Sequence, residues 1–311
     1  MDANADHPGK LTAGFAGSPR LARILVTGIA TIDHVVDVEV YPEEDSEQRA
    51  LGSETRPGGN AANTAYLLAQ AGHAVDLAAV VADGGEGDRL LELLAARGIG
   101  VERCVRLPGR MPTSWILRSR ATGSRTIIHD RDLPELGAKG FANRGLEGYD
   151  WFHFEGRNPA ELPALLRAVR RAAVDQPVSL ELEKPREGLD KCLRLADVLM
   201  FSRVWAEAQG MSEPLRFIEE VAAARPEQVQ TLTWGRRGAW LAQHGRVCHC
   251  MPEPHLQVRD SLGAGDTFNA GLIDALVSGE PPQRALERAV RLAGRKLRQP
   301  GLDGLFAVPD R

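Results

Sequence analysis

Aromatic residues are scarce, at 5% of the 311 positions, and there are only four cysteines. So few aromatics leave little from which to build an aromatic-lined groove. Cys104, Cys192, Cys248 and Cys250 are too few and too scattered for the disulfide frame of a small secreted domain, which favours a reducing, cytoplasmic compartment. Cys248 and Cys250 flank His249, but one intervening residue and no second Cys/His cluster fit alternating strand residues better than a metal site. No apolar run approaches the ~18–20 residues of a membrane span. The longest are short, such as Leu77 to Ala82. Net charge is also lacking: 38 Lys and Arg against 42 Asp and Glu give −4, no field to hold nucleic acid or an anionic membrane. Residues 1–20 carry no apolar core behind a basic start, so they read as a loose tail and not a secretory signal, leaving 21–311 as a single domain. There is no internal repeat, no G-x-x-x-x-G-K-[ST] sequence and no protein-kinase signature.

Glycine, by contrast, is abundant at 32 residues, and the apolar content of 43% allows a substantial core. Short β-rich runs alternate with helical patterns. Arg23 to Gly28 and Val75 to Val81 read as buried strands, with a helix over Asn60 to Ala71 between them. Further strands are predicted at Trp151 to Phe154, Val178 to Leu182 and Val198 to Phe201. Helices are predicted at Asp88 to Arg97, Ala160 to Ala173 and Glu213 to Ala224. This alternation predicts an α/β fold, a mostly parallel sheet covered by helices on both faces. Thr31 to Thr55 and Val105 to Ile128 break the rhythm with half-exposed strand patterns, and predict a small β-sheet lid over the ends of the parallel strands.

Three segments carry the chemistry. In Asp260-Ser-Leu-Gly-Ala-Gly-Asp266, the small residues Gly263, Ala264 and Gly265 precede a helix, whose first amides lack partners and favour an anion. Asp266 beside them is suited to accept the proton of an attacking hydroxyl; capping the helix suits it equally. In Arg56-Pro-Gly-Gly-Asn-Ala-Ala-Asn63, Gly58 and Gly59 permit a close turn. Asn60 and Asn63 share a helix face and suit a polyol, or serve a capped helix packed on a loop. Asp33 is a further acceptor, or a loop residue in an Asx-turn. The third, Thr233-Trp-Gly-Arg-Arg-Gly238, is either a phosphate cradle or a hairpin turn. The basic stretch Arg284 to Arg298 reads as a solvated face.

The Gly-Gly-Asn segment and Asp260 to Phe268, in this order and separation, resemble the two signatures of the ribokinase-like (PfkB) carbohydrate kinases over about Ile24 to Leu305. Tyr41 to Glu47, Gly123 to Ile127, His153 to Asn158, Glu183 to Glu187 and Gly301 to Gly304 resemble the ketohexokinase branch. The resemblance implies a three-layer ribokinase-like sandwich and transfer of the ATP γ-phosphoryl group to the 1-hydroxyl of a ketohexose such as fructose. It implies Asp266 as base, with Gly263, Ala264 and Gly265 holding developing charge. Asp33, Asp45, Gly59, Asn60, Asn63 and Arg125 would bind the sugar, and Trp234, Gly235, Gly238, Ser261, Phe268 and Ala293 would border ATP. It also implies a homodimer clasped through the lids, with Asp45 reaching either its own or the neighbouring sugar site. Many family members have Asn-x-x-Glu where this chain reads Ser202-Arg-Val-Trp205. No protein ligand for Mg²⁺ is therefore identified, and the ion is left to ATP oxygens and water. A kinase for ribose, a 2-keto-3-deoxy sugar acid or a modified ketose is the alternative. A silent sugar or nucleotide sensor is a third, disfavoured by the intact Gly-Ala-Gly-Asp.

Overall fold

A computed structural model describes residues 21–142 and 145–306; the tail expected over residues 1–20 lies outside the described residues. The chain opens with β1 (Arg23–Thr27), β2 (Thr31–Val38), β3 (Gly52–Gly58), α1 (Asn60–Gln70), β4 (Ala74–Ala78), β5 (Val80–Ala82) and α2 (Gly85–Ala96). It continues through β6 (Ile99–Gly100), β7 (Val105–Leu107), β8 (Thr113–Ser119), β9 (Arg125–Asp130), α3 (Ala138–Ala142), β10 (Trp151–Glu155), α4 (Leu162–Ala172) and β11 (Val178–Leu182). The rest comprises β12 (Val198–Ser202), α5 (Arg203–Ala208), α6 (Pro214–Ala224), β13 (Val229–Thr233), β14 (Ala239–Gln243), β15 (Arg246–Cys250), α7 (Ala264–Val277) and α8 (Pro282–Leu297).

A 9-stranded sheet runs in the order β15-β14-β13-β12-β11-β10-β1-β4-β6, parallel except where β14 and β15 join its edge. Every residue of β10 and β11 is buried, as expected of strands covered on both faces by helices. Each fully buried Leu or Phe in them contributes about 1.5–3 kcal/mol relative to exposure. The strand order reverses at β1, which pairs β4 on one side and β10 on the other. Such a switch point opens a crevice beyond the carboxyl ends of the flanking strands. The expected strand Val75 to Val81 is in fact two, because β5 leaves the sheet to pair with β7.

Helix α7 packs against both α1 and α8. Residues Asp266 to Val277 of α7 are all buried, which fits a helix enclosed on every side. Helix α8 is amphipathic and basic, but its basic residues do not all face solvent. Lys296 is completely buried, because it follows Ala289 and Leu292 on the apolar face.

A 4-stranded sheet, β3-β2-β8-β9, stands over the crevice. Cross-strand register places Arg56, Asp33, Ser114 and His129 on its inner face and Thr55, His34, Trp115 and Ile128 on its outer face. On that outer side His34 stacks on Trp115, and Trp115 and Ile128 remain 45% and 62% exposed. Among the described residues no helix is long and apolar enough to cross a membrane.

Candidate active site

A cavity of about 270 Å³ lies between the crevice and the lid. It is lined by Asp33, Gly59, Asn60, Asn63, Arg125 and the run Gly263 to Asp266, all singled out in the sequence. Gly58 and Gly59 create it by close approach. A Cβ on Gly58 would sit 2.0 Å from the Asp33 carboxylate, and one on Gly59, where φ is +95°, 2.5 Å from the Ile29 carbonyl. Any side chain there would push α1 away from β2. Asp33 lies within β2 and not in a loop; its Oδ1 accepts from the Thr31 hydroxyl at 2.7 Å. Burial raises its pKa, opposed by the hydroxyls of Thr31 and Ser114 and by Arg56.

Helix α7 starts at Gly263, whose φ of +80° brings the chain round sharply and which offers no side-chain cap. Asp266 is therefore not the cap. It lies inside the first turn, 5% exposed, and its Oδ2 accepts from Asn63 Nδ2 at 2.7 Å. Burial pushes its pKa up to about 8; the Asn63 hydrogen bond opposes this, Glu183 and Glu155 add to it, and Arg125 lowers it. A carboxyl so poised is a suitable proton acceptor near neutral pH. Beside it, a Cβ on Gly265 would meet nothing within 4 Å, so the cradle has room for a bulky anion. First-turn amides without a capping side chain, of which Ala264 N alone has a backbone acceptor, Ser261 O at 3.4 Å, together with Arg125 at the rim fit a phosphate group. Arg125 Nη1 donates to Ser261 Oγ at 2.7 Å, tying the lid to the loop before the cradle.

The remaining sequence candidates do not line this cavity. Asp45 sits on an exposed loop with φ +59°. Trp234 and Phe268 are buried, and Ala293 is half-buried against the core. The Trp234 to Gly238 segment is a tight turn between the antiparallel strands β13 and β14. Gly238 is needed there for packing, since a Cβ would lie 2.1 Å from the Cys250 carbonyl, whereas Gly235 faces open space. In Ser202-Arg-Val-Trp205, Ser202 Oγ caps α5 by accepting from Trp205 N at 3.1 Å, while Trp205 packs on Phe201. Among the described residues no cluster of three or more His, Cys, Asp or Glu could hold a metal ion.

The cavity also holds residues that were not singled out as site candidates: Glu181, Glu183, Lys184, Arg157 and His129. Glu181 is the last residue but one of β11, a fully buried run, and a carboxylate at such a position was the signal available in the sequence. Asn60 Nδ2 donates to Glu181 Oε1 at 3.3 Å and to Glu183 Oε2 at 3.2 Å, so this amide orients two acids. Burial raises the Glu181 pKa well above the usual range, reinforced by Asp266, Glu155 and Glu183.

Comparison with known proteins places this geometry. Residues 21–306 match the pfkB family carbohydrate kinases. Ketohexokinase of Mus musculus is 33% identical over 294 residues, covering 91% of this chain and 98% of the relative. The ATP-dependent ribose-1-phosphate kinase of Halopiger xanaduensis is 25% identical over 86% of this chain and 90% of its own. The structure of Arabidopsis thaliana ribokinase complexed with ribose and ATP superposes with a TM-score of 0.72 at 20% identity, covering 94% of this chain and 96% of that one. The fold is thus the three-layer ribokinase-like sandwich with a separate small sheet. With a family match spanning nearly all described residues and a full-length relative above 30% identity, the chain belongs to the pfkB family of carbohydrate kinases, sugar kinases that use ATP.

Proposed function

We propose that this sugar kinase is a ketohexokinase, transferring the ATP γ-phosphoryl group to the 1-hydroxyl of a ketohexose such as fructose. The observation that carries the reading is Asp266: a buried carboxyl with one oxygen held by Asn63, beside an open cradle of small residues. ATP would supply the phosphoryl group and would bring Mg²⁺ with it, whose charge would offset that of the phosphates. The protein's share is positioning and electrostatics. Asn63 aims Asp266, whose free oxygen takes the proton of the sugar hydroxyl. The amides at Gly263, Ala264 and Gly265 stabilise charge on the transferring group, and Arg125 adds positive charge at the rim. Asp33, Gly59 and Asn60 form the polar wall that receives the other hydroxyls. A cavity of about 270 Å³ lies at the small end of ligand pockets, in keeping with a single monosaccharide.

The ketohexose assignment draws on the likeness to ketohexokinase over nearly the full length of both chains. The turn at Trp234, Gly235 and Gly238, with Ser261, Phe268 and Ala293, is assigned to the nucleotide side. The exposed outer face of the lid, with Trp115 and Ile128, supports a homodimer clasped through this sheet, which would bring Asp45 of one lid toward its partner's sugar. The test is an ATP-consumption screen of purified protein across ketoses, aldoses and nucleosides, followed by locating the phosphate on the product. Selective turnover of ketohexoses with phosphate on the 1-oxygen is the expected result. Preference for an aldose, or phosphate elsewhere, overturns it.

A further inference from the structure

Three Lys and Arg side chains line the cavity, Arg125, Arg157 and Lys184, and they are not equally committed. Arg157 is held by Glu155 at 2.6 Å and by Glu135 at 2.8 Å. Arg125 donates to Ser261 Oγ at 2.7 Å. The Lys184 ammonium is paired with Glu183 Oε2 at 3.8 Å, too long for a hydrogen bond, and its side chain is 59% exposed. Its donors are therefore free, while the backbone that carries them is fixed. Ser202 Oγ donates to the Glu183 carbonyl on one side, and Arg186 Nη1 donates to the Gly156 carbonyl at 2.8 Å on the other. Pro185 restricts the backbone of residue 184 between them.

We propose that the Lys184 ammonium leaves Glu183 for the γ-phosphoryl group of ATP and stays on it during transfer, which makes Lys184 a catalytic residue. The inference deepens the kinase reading and rests on it for the transfer of phosphate from ATP, but not for the identity of the sugar. Contacts on both walls place the ammonium. The Glu183 oxygen it faces also accepts from Asn60 Nδ2 at 3.2 Å, on the sugar wall. Across the cavity, on the inner face of the lid, its charge helps to lower the His129 pKa. Lys184 lines the same space as Gly263, Ala264 and Gly265. The sheet order β13-β12-β11-β10-β1 explains why this is the middle of the site. At the carboxyl edge β1 runs on to Ile29 and the sugar wall, and β13 runs into the turn assigned to the nucleotide; Lys184 follows β11, between the two. A group passing from nucleotide to sugar crosses that middle. The floor there is acidic, since Glu183 and Glu155 both raise the Asp266 pKa, so an incoming phosphoryl group needs a cation that can meet it. Lysine is a compact charge on a flexible stem and can follow the group. As the bond from the γ-phosphorus to ADP breaks and the bond to the sugar oxygen forms, the hydroxyl proton passes to Asp266. Lys184 then shares the charge on the phosphoryl oxygens with the cradle amides.

Two measurements test this. The first is calorimetry of AMP-PNP and of ADP, each with Mg²⁺ and without sugar, on the wild type, Lys184→Ala and Lys184→Arg. Lys184→Ala should weaken AMP-PNP about ten- to a hundredfold and ADP by no more than about twofold, because only the first carries a γ-phosphoryl group. Lys184→Arg, which keeps the charge, should recover most of the loss. Equal losses for the two nucleotides, or none for either, overturn the proposal. The second is steady-state kinetics with the sugar that the wild type turns over fastest. Lys184→Ala should lower kcat about 10²–10³-fold and leave the KM for that sugar within about twofold. A raised sugar KM at unchanged kcat would make Lys184 a sugar ligand and overturn the proposal. Failure of the ketohexokinase reading looks different: the wild type would prefer another sugar to fructose, while Lys184→Ala would still separate AMP-PNP from ADP.

Discussion

Asp260, in the loop that leads into α7, and Asp266, in the first turn of that helix, are both almost fully buried, and their surroundings are opposite. Asp260 is saturated. Its carboxylate accepts from Arg118 Nη1 at 3.1 Å, Lys296 Nζ at 3.0 Å, Leu262 N at 2.9 Å and Gly301 N at 3.2 Å. Burial alone would raise its pKa, but Lys296, the Leu262 amide and Arg118 outweigh it and hold the carboxyl below its usual range. Burial drags Lys296 down as well, yet its three protons meet the Asp260 carboxylate, the Asp260 carbonyl and the Gln299 carbonyl, and this set of acceptors keeps it an ammonium. Arg118 also pairs with Asp37, so Asp260 ties both lid strands β2 and β8 to α8 and the loop into α7. Asp266 has one amide and three neighbouring acids. One aspartate is spent on holding the loop still; the other is left short of partners, which is the condition of a group that must accept a proton.

The contrast can be broken most severely at Asp266. Asp266→Asn should lower turnover by about 10²–10⁴-fold, the usual contribution of a general base, while melting temperature holds or rises. Steady-state assays beside thermal unfolding read both. At the other cluster, Lys296→Met should cost up to about 3–5 kcal/mol in denaturant titrations, because it removes one of the two cations that hold a buried carboxylate. Adding Asp260→Asn to it should recover part of that loss.

The pH dependence of unfolding then separates the two aspartates by sign. The depressed Asp260 contributes stability above its unfolded value of about 4 that is lost as pH falls through its lower folded value. The raised Asp266 acts the other way: stability is highest below about pH 4 on its account, and is lost as pH rises toward its folded value of about 8. The slope is at most about 1.4 kcal/mol per pH unit for one proton. Asp266→Asn should flatten that decline between about pH 4 and pH 8, and an unchanged decline would place its cause elsewhere. The smallest effect is expected from Asn63→Ala. Its hydrogen bond lowers the Asp266 pKa, so removing it should move the acid limb of kcat/KM to higher pH.

Much of this was legible in the sequence, and the reason is local. Gly58, Gly59 and the run Gly263 to Gly265 are needed by short-range geometry, so they appear as compact signatures, and the acids and amides attached to them follow. The alternation of strands and helices likewise exposed the sheet. What stayed hidden depends on distant partners. Glu181 reads as one charge in Val178 to Leu182 until β10 and α1 close over it, although an acid inside an otherwise uncharged, Leu- and Val-rich parallel strand was a usable sign. Lys296 was lost among the other cations of α8, although its helical spacing from Leu292 and Ala289 sets it on the apolar face. The nucleotide side was the least resolved by geometry, because Gly238 is already accounted for by its contact with Cys250.

The most direct measurement is the pH dependence of kcat/KM for fructose, in the wild type and in Asp266→Asn. The account predicts an acid limb in the wild type set by a group near 8, and in the variant a low rate without that limb. A variant with near-wild-type turnover, or one that keeps the same limb, would contradict it.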